Sequence, residues 1–258
     1  MDEHIDDDTL TDATEGAAPK HDSRREIIEA AAQCFMLKGL DKATMDDIAD
    51  VLGATKGRVY HHFRSKNAIY FAVYRQAMQY CFDAVTPLIS LDTSNISKLE
   101  LMAHAHARVM MDTLPYQRSI RLGVEVYLRG STTEAERAVL RELITLRNDY
   151  ENLYREVLRA GVAQGELDVP NIEIASRALM GALNGLVDWY RIRPDQSEGE
   201  RDALARAGAC RGAWHHGIIR FPRPVWPPHP RAALSRDRCD IARAHRSASE
   251  QRQSPNRP

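Results

Sequence analysis

Two glycine and threonine pairs, Gly39 with Thr44 and Gly53 with Thr55, cut residues 23 to 66 into three short segments with helical spacing. Few folds accept that punctuation. Ser23 can cap a first helix whose apolar positions are Ile27, Ala31, Cys34 and Phe35, with Leu37 at their edge. Gly39 stops it. Thr44 then caps Met45 to Leu52, whose inward set is Met45, Ile48, Ala49 and Leu52. Gly53 supplies a turn, and Thr55 is placed to cap a third helix by accepting a backbone N–H left free in its first turn. Two short helices around a glycine turn, braced by a first helix, make a helix-turn-helix.

The third segment carries the chemistry. At 100° per residue, Val59 and Phe63 share one side of the helix, and His61 points the opposite way with Gly57 and Arg58 near it. Tyr60 and His62 flank the buried side. Residues 55 to 66 hold Lys56, Arg58, Arg64 and Lys66 and no acid, a surface suited to phosphate. Glycine inside a helix is costly unless something approaches the backbone closely, and at Gly57 a DNA groove would do so. A solvated basic turn is the plainer reading of the same residues, and the two well-formed helices before it argue against that.

Residues 23 to 71 resemble the DNA-binding domain of the tetracycline-repressor (TetR) family of bacterial regulators. The resemblance rests on Ile28, Ala31, Phe35, Gly39, Thr44, Ile48, Ala49, Gly53, Lys56, Gly57, Tyr60, His62, Phe63, Lys66 and Ile69. It implies an all-α homodimer that represses transcription at a double-stranded DNA operator and lets go when a small molecule binds. Carried over by position, it implies that Thr44, Tyr60, His62 and Lys66 hold phosphates. Thr55, Lys56, Gly57, Arg58 and His61 would face the groove. It extends over about residues 23 to 206, behind the head by helix pattern alone, and implies no cofactor.

The rest of the chain divides by composition into an arm, a head, a body and a tail. Residues 1 to 22 hold eight acids against Lys20 alone and no apolar run, which reads as a disordered acidic arm rather than a signal peptide. The head occupies 23 to 67 and a helical ligand-binding and dimerisation domain 68 to 206. No stretch approaches the length of a transmembrane helix, so the expectation is a cytoplasmic protein with no membrane partner. The formal net charge of −1 gives no global basic field, so the affinity for DNA must be local.

In the body, Lys66 opens a helix expected to run to about Val85, where Pro87 ends it. It has two apolar faces, one through Ile69, Val73 and Tyr80 and one through Tyr74, Met78, Phe82 and Val85, which suits a connector packed between two bodies. The stripes that follow contain Met102, His106, Met110 and Tyr127. With Met78 and Phe82, these soft or isolated polar side chains are the candidates for an adaptable effector pocket, set against an ordinary core in which a neighbour satisfies His106. A helix of about 30 residues from Thr133 repeats Val139, Leu143, Leu146, Tyr150, Leu153 and Val157 in heptad-like steps. A later helix, Ile172 to about Tyr190, carries the small residues Ala178, Gly181, Ala182 and Gly185. In the family this helix pairs with the last one across the dimer. Its run from Leu179 to Gly185, with Trp189-Tyr190-Arg191, is similar to members that govern lipid or acyl-CoA breakdown, which implies an acyl-CoA thioester as one effector class.

Cys34, Cys81, Cys210 and Cys239 show no ligand-like spacing, and His104 and His106, two apart on a helix, cannot share an ion, so no metal is expected. No nucleophile elbow, zinc-protease or phosphate-loop motif occurs, which argues against an enzyme. Ser197 to Glu200 opens a final helix that should run four or five turns. From about Ala207 the composition changes to ten arginines, no lysine and seven of the chain's twelve prolines. A basic appendage touching nucleic acid and a shifted reading frame both account for residues 207 to 258, and the second is preferred. Two rivals remain: an effector-independent activator or architectural DNA binder, marked by a body without a ligand-sized cavity, and a helical enzyme or carrier that inherited a DNA-binding head.

Overall fold

The computed structural model describes residues 20–129 and 133–214, with side chains over 23–121 and 133–208. These residues form helices and connecting turns. The head comprises α1 (Lys20–Lys38), α2 (Met45–Leu52) and α3 (Lys56–His62). The body comprises α4 (Lys66–Ile89), α5 (Asn95–Asp112), α6 (Leu114–Arg129), α7 (Glu134–Ala163), α8 (Ile172–Asn184), the single turn α9 (Leu186–Trp189) and α10 (Glu198–Trp214).

Local chemistry sets the boundaries. Gly39 and Gly53 take φ of 79° and 67°, left-handed angles that L side chains rarely adopt. The Thr44 hydroxyl accepts from the Asp47 N–H at 3.1 Å, and the Thr44 N–H donates to the Asp47 carboxylate at 2.9 Å. This capping box is reinforced by Lys38, 2.6 Å from the same carboxylate. The Lys38 ammonium, followed by the Thr44 bonds, brings the Asp47 pKa down to about 2. Thr133 with Glu136 and Ser197 with Glu200 form the same box at α7 and α10. Glu166, in the turn after α7, accepts from the N–H groups of Asn95 at 2.6 Å and Ile96 at 3.2 Å, so it caps α5 from 70 residues away.

Several elements depart from the sequence expectations. α1 begins at Lys20, so Ser23 lies inside its first turn and is not its cap; its hydroxyl instead accepts from Arg58 at 3.1 Å. Leu37 is 74% exposed and belongs to the solvent face. Pro87 does not stop α4: the helix continues through Leu88 and Ile89, and the proline, having no N–H, forgoes one bond of the ladder. The helix expected to reach Tyr190 ends at Asn184, and α9 follows Gly185. The α10 backbone continues past Ala207 to Trp214. The acidic arm up to residue 19 and the tail after 214 lie outside the described residues.

α4 joins the halves. It packs against α1 on the head side and α5, α6 and α7 on the body side, and Ile69, Tyr70, Val73, Ala77 and Val85 along it are fully buried. Its two apolar faces therefore both find partners. α6 makes a second connection: it packs on α1, where the Ser119 hydroxyl donates to the Ala32 carbonyl at 3.0 Å. On the far side, α10 packs on α5 and α8.

Candidate nucleic-acid interface and effector cavity

α3 is anchored by Val59, which has no exposed surface, and by Phe63 just beyond its end. That fixes its other side outward: Thr55, Lys56, Gly57, Tyr60 and His61 are exposed, as is Thr44 at the start of α2. Thr55 occupies the cap position, but its hydroxyl makes no cap bond. The expected cap bond is thus absent, and the hydroxyl stays available at the surface. A Cβ added at Gly57 would meet nothing closer than the Thr55 hydroxyl at 3.9 Å. Packing within the chain does not require a glycine there.

The cations are not all free. Lys56 lies 2.5 Å from Asp46. Arg58 is only half exposed because its guanidinium reaches back to Glu26 and Ser23 on α1. The Lys66 ammonium donates to the carbonyls of Leu40 at 2.6 Å and Asp41 at 3.1 Å, tying α4 to the turn between α1 and α2. The sequence resemblance assigns Lys66 to phosphate alone; two of its three donors are taken up within the fold, and one remains for a phosphate. His61 and His62 stand edge to face with centroids 5.1 Å apart. Partial burial first, then His61, Arg58 and Arg24, lower the His62 pKa. Arg24 sits 4.8 Å above the Phe63 ring. It adds a cation to the same face, and sequence reading misses it because the turn of α1 that bears it has no apolar marker.

A partly open cavity of about 280 Å³ lies between α4, α5, α6, α7 and α8, just below the usual range for small-molecule sites, roughly 300–1,000 Å³. Met78, His106 and Met110 line it, as the sequence suggests. Phe82 and Met102 stand behind the wall: Phe82 packs edge-on against Tyr150 at 5.2 Å, and the Met102 carbonyl accepts from Tyr154 at 3.1 Å. The Tyr127 side chain lies outside the described residues.

The polar part of the lining is largely invisible in the sequence. His106 Nε2 lies 3.2 Å from Asn184 Oδ1 and Nδ1 lies 2.7 Å from the Tyr150 hydroxyl. With Asn184 presenting its oxygen, Nε2 carries the proton and Nδ1 accepts from Tyr150. Burial pushes the His106 pKa down to about 4 against the opposing pull of Asn184, so the ring is neutral. Gln117, Arg121, Arg147 and Glu151 complete the polar lining. Arg121 is held by Asp188 at 2.6 Å and by the Asn184 carbonyl at 3.2 Å. A buried polar network beside methionines gives a site that is apolar over most of its wall and orienting at one end.

Among the described residues no group of histidines, cysteines and carboxylates is placed to hold a metal. His104 pairs with Asp202 at 2.8 Å, away from His106. Nor is any helix there long and apolar enough to cross a membrane.

Comparison with known proteins agrees with this geometry. Residues 27–73 match the model for bacterial regulatory proteins of the tetR family, and residues 92–200 match the tetracyclin repressor-like C-terminal domain. The chain is 28% identical over 180 residues to the HTH-type transcriptional repressor KstR2 of Rhodococcus jostii, covering 67% of this chain and 81% of that one. The TetR family transcriptional regulator PfmR from Thermus thermophilus is 27% identical, with a TM-score of 0.62 over 74% of this chain and 95% of PfmR. AibR, solved in complex with isovaleryl coenzyme A and operator DNA, shares the fold: TM-score 0.60 at 16% identity, over 74% of this chain and 98% of AibR.

Proposed function

The chain belongs to the tetR family of bacterial regulatory proteins, which are DNA-binding regulators and not enzymes, and from that premise we propose a repressor released from a palindromic operator by a small apolar or acyl-CoA-type effector. It acts as a homodimer in the cytoplasm. The observation that carries the reading is the cavity, because α4 and α6 both line it and both pack on α1 of the head. An effector-independent regulator would need no such space.

The exposure of Thr44, Thr55, Lys56, Gly57, Tyr60 and His61 supports the contacts that the resemblance implies. Thr44, Tyr60, His62 and the remaining donor of Lys66 meet phosphates; Thr55, Lys56, Gly57, Arg58 and His61 meet the groove. Gly181 and Ala182 are exposed on α8 beside α10, a small-residue strip that favours close pairing with a second copy. Ile174 and Trp189, 61% and 55% exposed, extend that face.

In the effector site Met78 and Met110 meet an apolar chain, and Phe82 and Met102 support the wall behind it. His106 meets the polar end through the bonds it now makes to Tyr150 and Asn184. A cavity of about 280 Å³ holds an acyl group but not a coenzyme, so the nucleotide of a thioester would remain outside, near Arg121 and Arg147. The run from Leu179 to Gly185 makes thioesters the first class to try.

A ligand moves the heads only by binding one arrangement of the dimer better than another. Reading heads in adjacent major grooves sit roughly 34–36 Å apart, so a tilt of α4 or α6 misplaces both. An operator gel shift against thioesters, fatty acids and aromatic compounds tests this. Release by at least one class is expected, and His106→Gln should raise the concentration needed about tenfold, or roughly 1.4 kcal/mol. A panel that leaves binding unchanged in a proven dimer contradicts the effector model.

Phosphate and base contacts should also separate. Lys66→Ala should weaken binding on all sequences and flatten its salt dependence, while Arg58→Ala should relax choice at one base pair by roughly 1–3 kcal/mol. Binding titrations on operator and scrambled duplexes read both. The reverse pattern would mean that α3 enters the groove in another orientation.

A further inference from the structure

We infer that Glu26, on α1, is a positioning residue that sets the base preference of Arg58; this rests on the operator reading above. The Arg58 guanidinium makes an ion pair with Glu26 and donates to the Ser23 hydroxyl at 3.1 Å through the same terminal nitrogen. Both partners come from the first two turns of α1, whose next residue, Ile27, is fully buried. The acid is therefore mounted on a rigid element, and Arg58 is the long side chain whose freedom it removes.

The chemistry of the surroundings makes this acid informative. Arg24, Lys56, Arg58 and Arg64 give the reading face its positive field, which favours any phosphate. A carboxylate there opposes that field and weakens non-specific attraction. What it supplies is direction. A guanidinium has five donors in a planar fork, and Glu26 and Ser23 occupy one nitrogen, leaving the rest of the fork to meet a base edge. Held this way, Arg58 presents the N–H groups of its other two nitrogens from a fixed plane, each able to donate singly to a base acceptor such as O6 or N7 of guanine. Released, it would swing to the nearest phosphate and carry no sequence information.

Lys56 with Asp46 differs. That pair joins α2 to α3 at the surface, and a lysine is a compact charge on a flexible stem that no single acid can orient in a plane. Arg58, by contrast, is held by two acceptors from a separate helix.

The test is selection from a randomised duplex pool, followed by titration of the enriched sequence and each single-base variant. Wild type, Glu26→Gln, Arg58→Ala and the double variant Glu26→Gln with Arg58→Ala are compared, circular dichroism confirming equal helix content. Glu26→Gln should bind scrambled duplex several-fold more tightly at low salt, because an acid has been removed from the face. It should also lose about tenfold of its discrimination at one base pair, the same pair at which Arg58→Ala loses discrimination. In the Arg58→Ala background Glu26→Gln should change nothing at that pair. Glu26→Asp, too short to reach the fork at the same distance, should fall between. If Glu26→Gln shifts affinity uniformly and keeps every base preference, Glu26 is only a charge and the inference is wrong. A wild-type protein that enriches no sequence would overturn the operator reading first, and this inference with it.

Discussion

Acidification from pH 7.5 to about 4 should cost the protein about 3 kcal/mol of stability through one residue, His106. Its folded pKa is lowered from 6.5 to about 4, chiefly because burial disfavours the imidazolium. The unfolded chain takes up a proton as the pH falls through 6.5, while the folded chain resists until about 4. The contribution is therefore fully present above the unfolded pKa and is lost progressively across that window. The ring's aromatic neighbours supply no negative charge: Tyr150 donates to Nδ1, and burial raises both Tyr150 and Tyr154 so that each stays neutral. Carboxylates such as Asp47 lose stability at lower pH, so the isolating comparison is with His106→Gln, which cannot titrate. Urea midpoints at intervals from pH 7.5 to 4.5 should fall more steeply for wild type than for the variant. Parallel curves would show that His106 is not buried as a neutral ring.

Phe35→Ala should be the most damaging single truncation in the head, at roughly 3–5 kcal/mol. Phe35 is 1% exposed and packs edge-on against Tyr70 of α4, with ring centroids 6.2 Å apart. It therefore loses both its own burial and the contact that couples α1 to the connecting helix. Operator affinity should fall with stability, since α3 docks on the same core through Val59. Leu37→Ala, two residues away but on the solvent face, should stay within about 0.5 kcal/mol. Chemical denaturation of the two variants side by side checks this, and equal effects would mean that α1 is rotated from its observed position.

These residues illustrate what the sequence made legible. The head was readable because its boundaries are local chemistry: Gly39, Thr44 and Gly53 each act on neighbours within four residues. The outward face of α3 followed from a count around a helix pinned by Val59 and Phe63. The partner of Arg58 was not readable, since Glu26 is 32 residues away and meets it only because of how α1 crosses α3. His106 stood out as a lone polar group in an apolar stripe. Asn184, which holds its other nitrogen, was hidden in a run read for its small residues. Arg121 and Arg147 carry no signal in the sequence, because no local pattern distinguishes a cavity wall from solvent. The end of α4 departs for a different reason: a proline forgoes one bond to the turn before it, but its fixed φ is helical, so Leu88 and Ile89 continue the helix.

The claim on which the rest depends is that this chain reads one DNA sequence as a symmetric pair. Sequencing the DNA that co-purifies with the protein tests it most directly. The account predicts a shared inverted repeat whose half-site centres lie roughly 34–36 Å apart or a multiple of that. Recovered fragments with no common sequence, or a common sequence without two-fold symmetry, would contradict it.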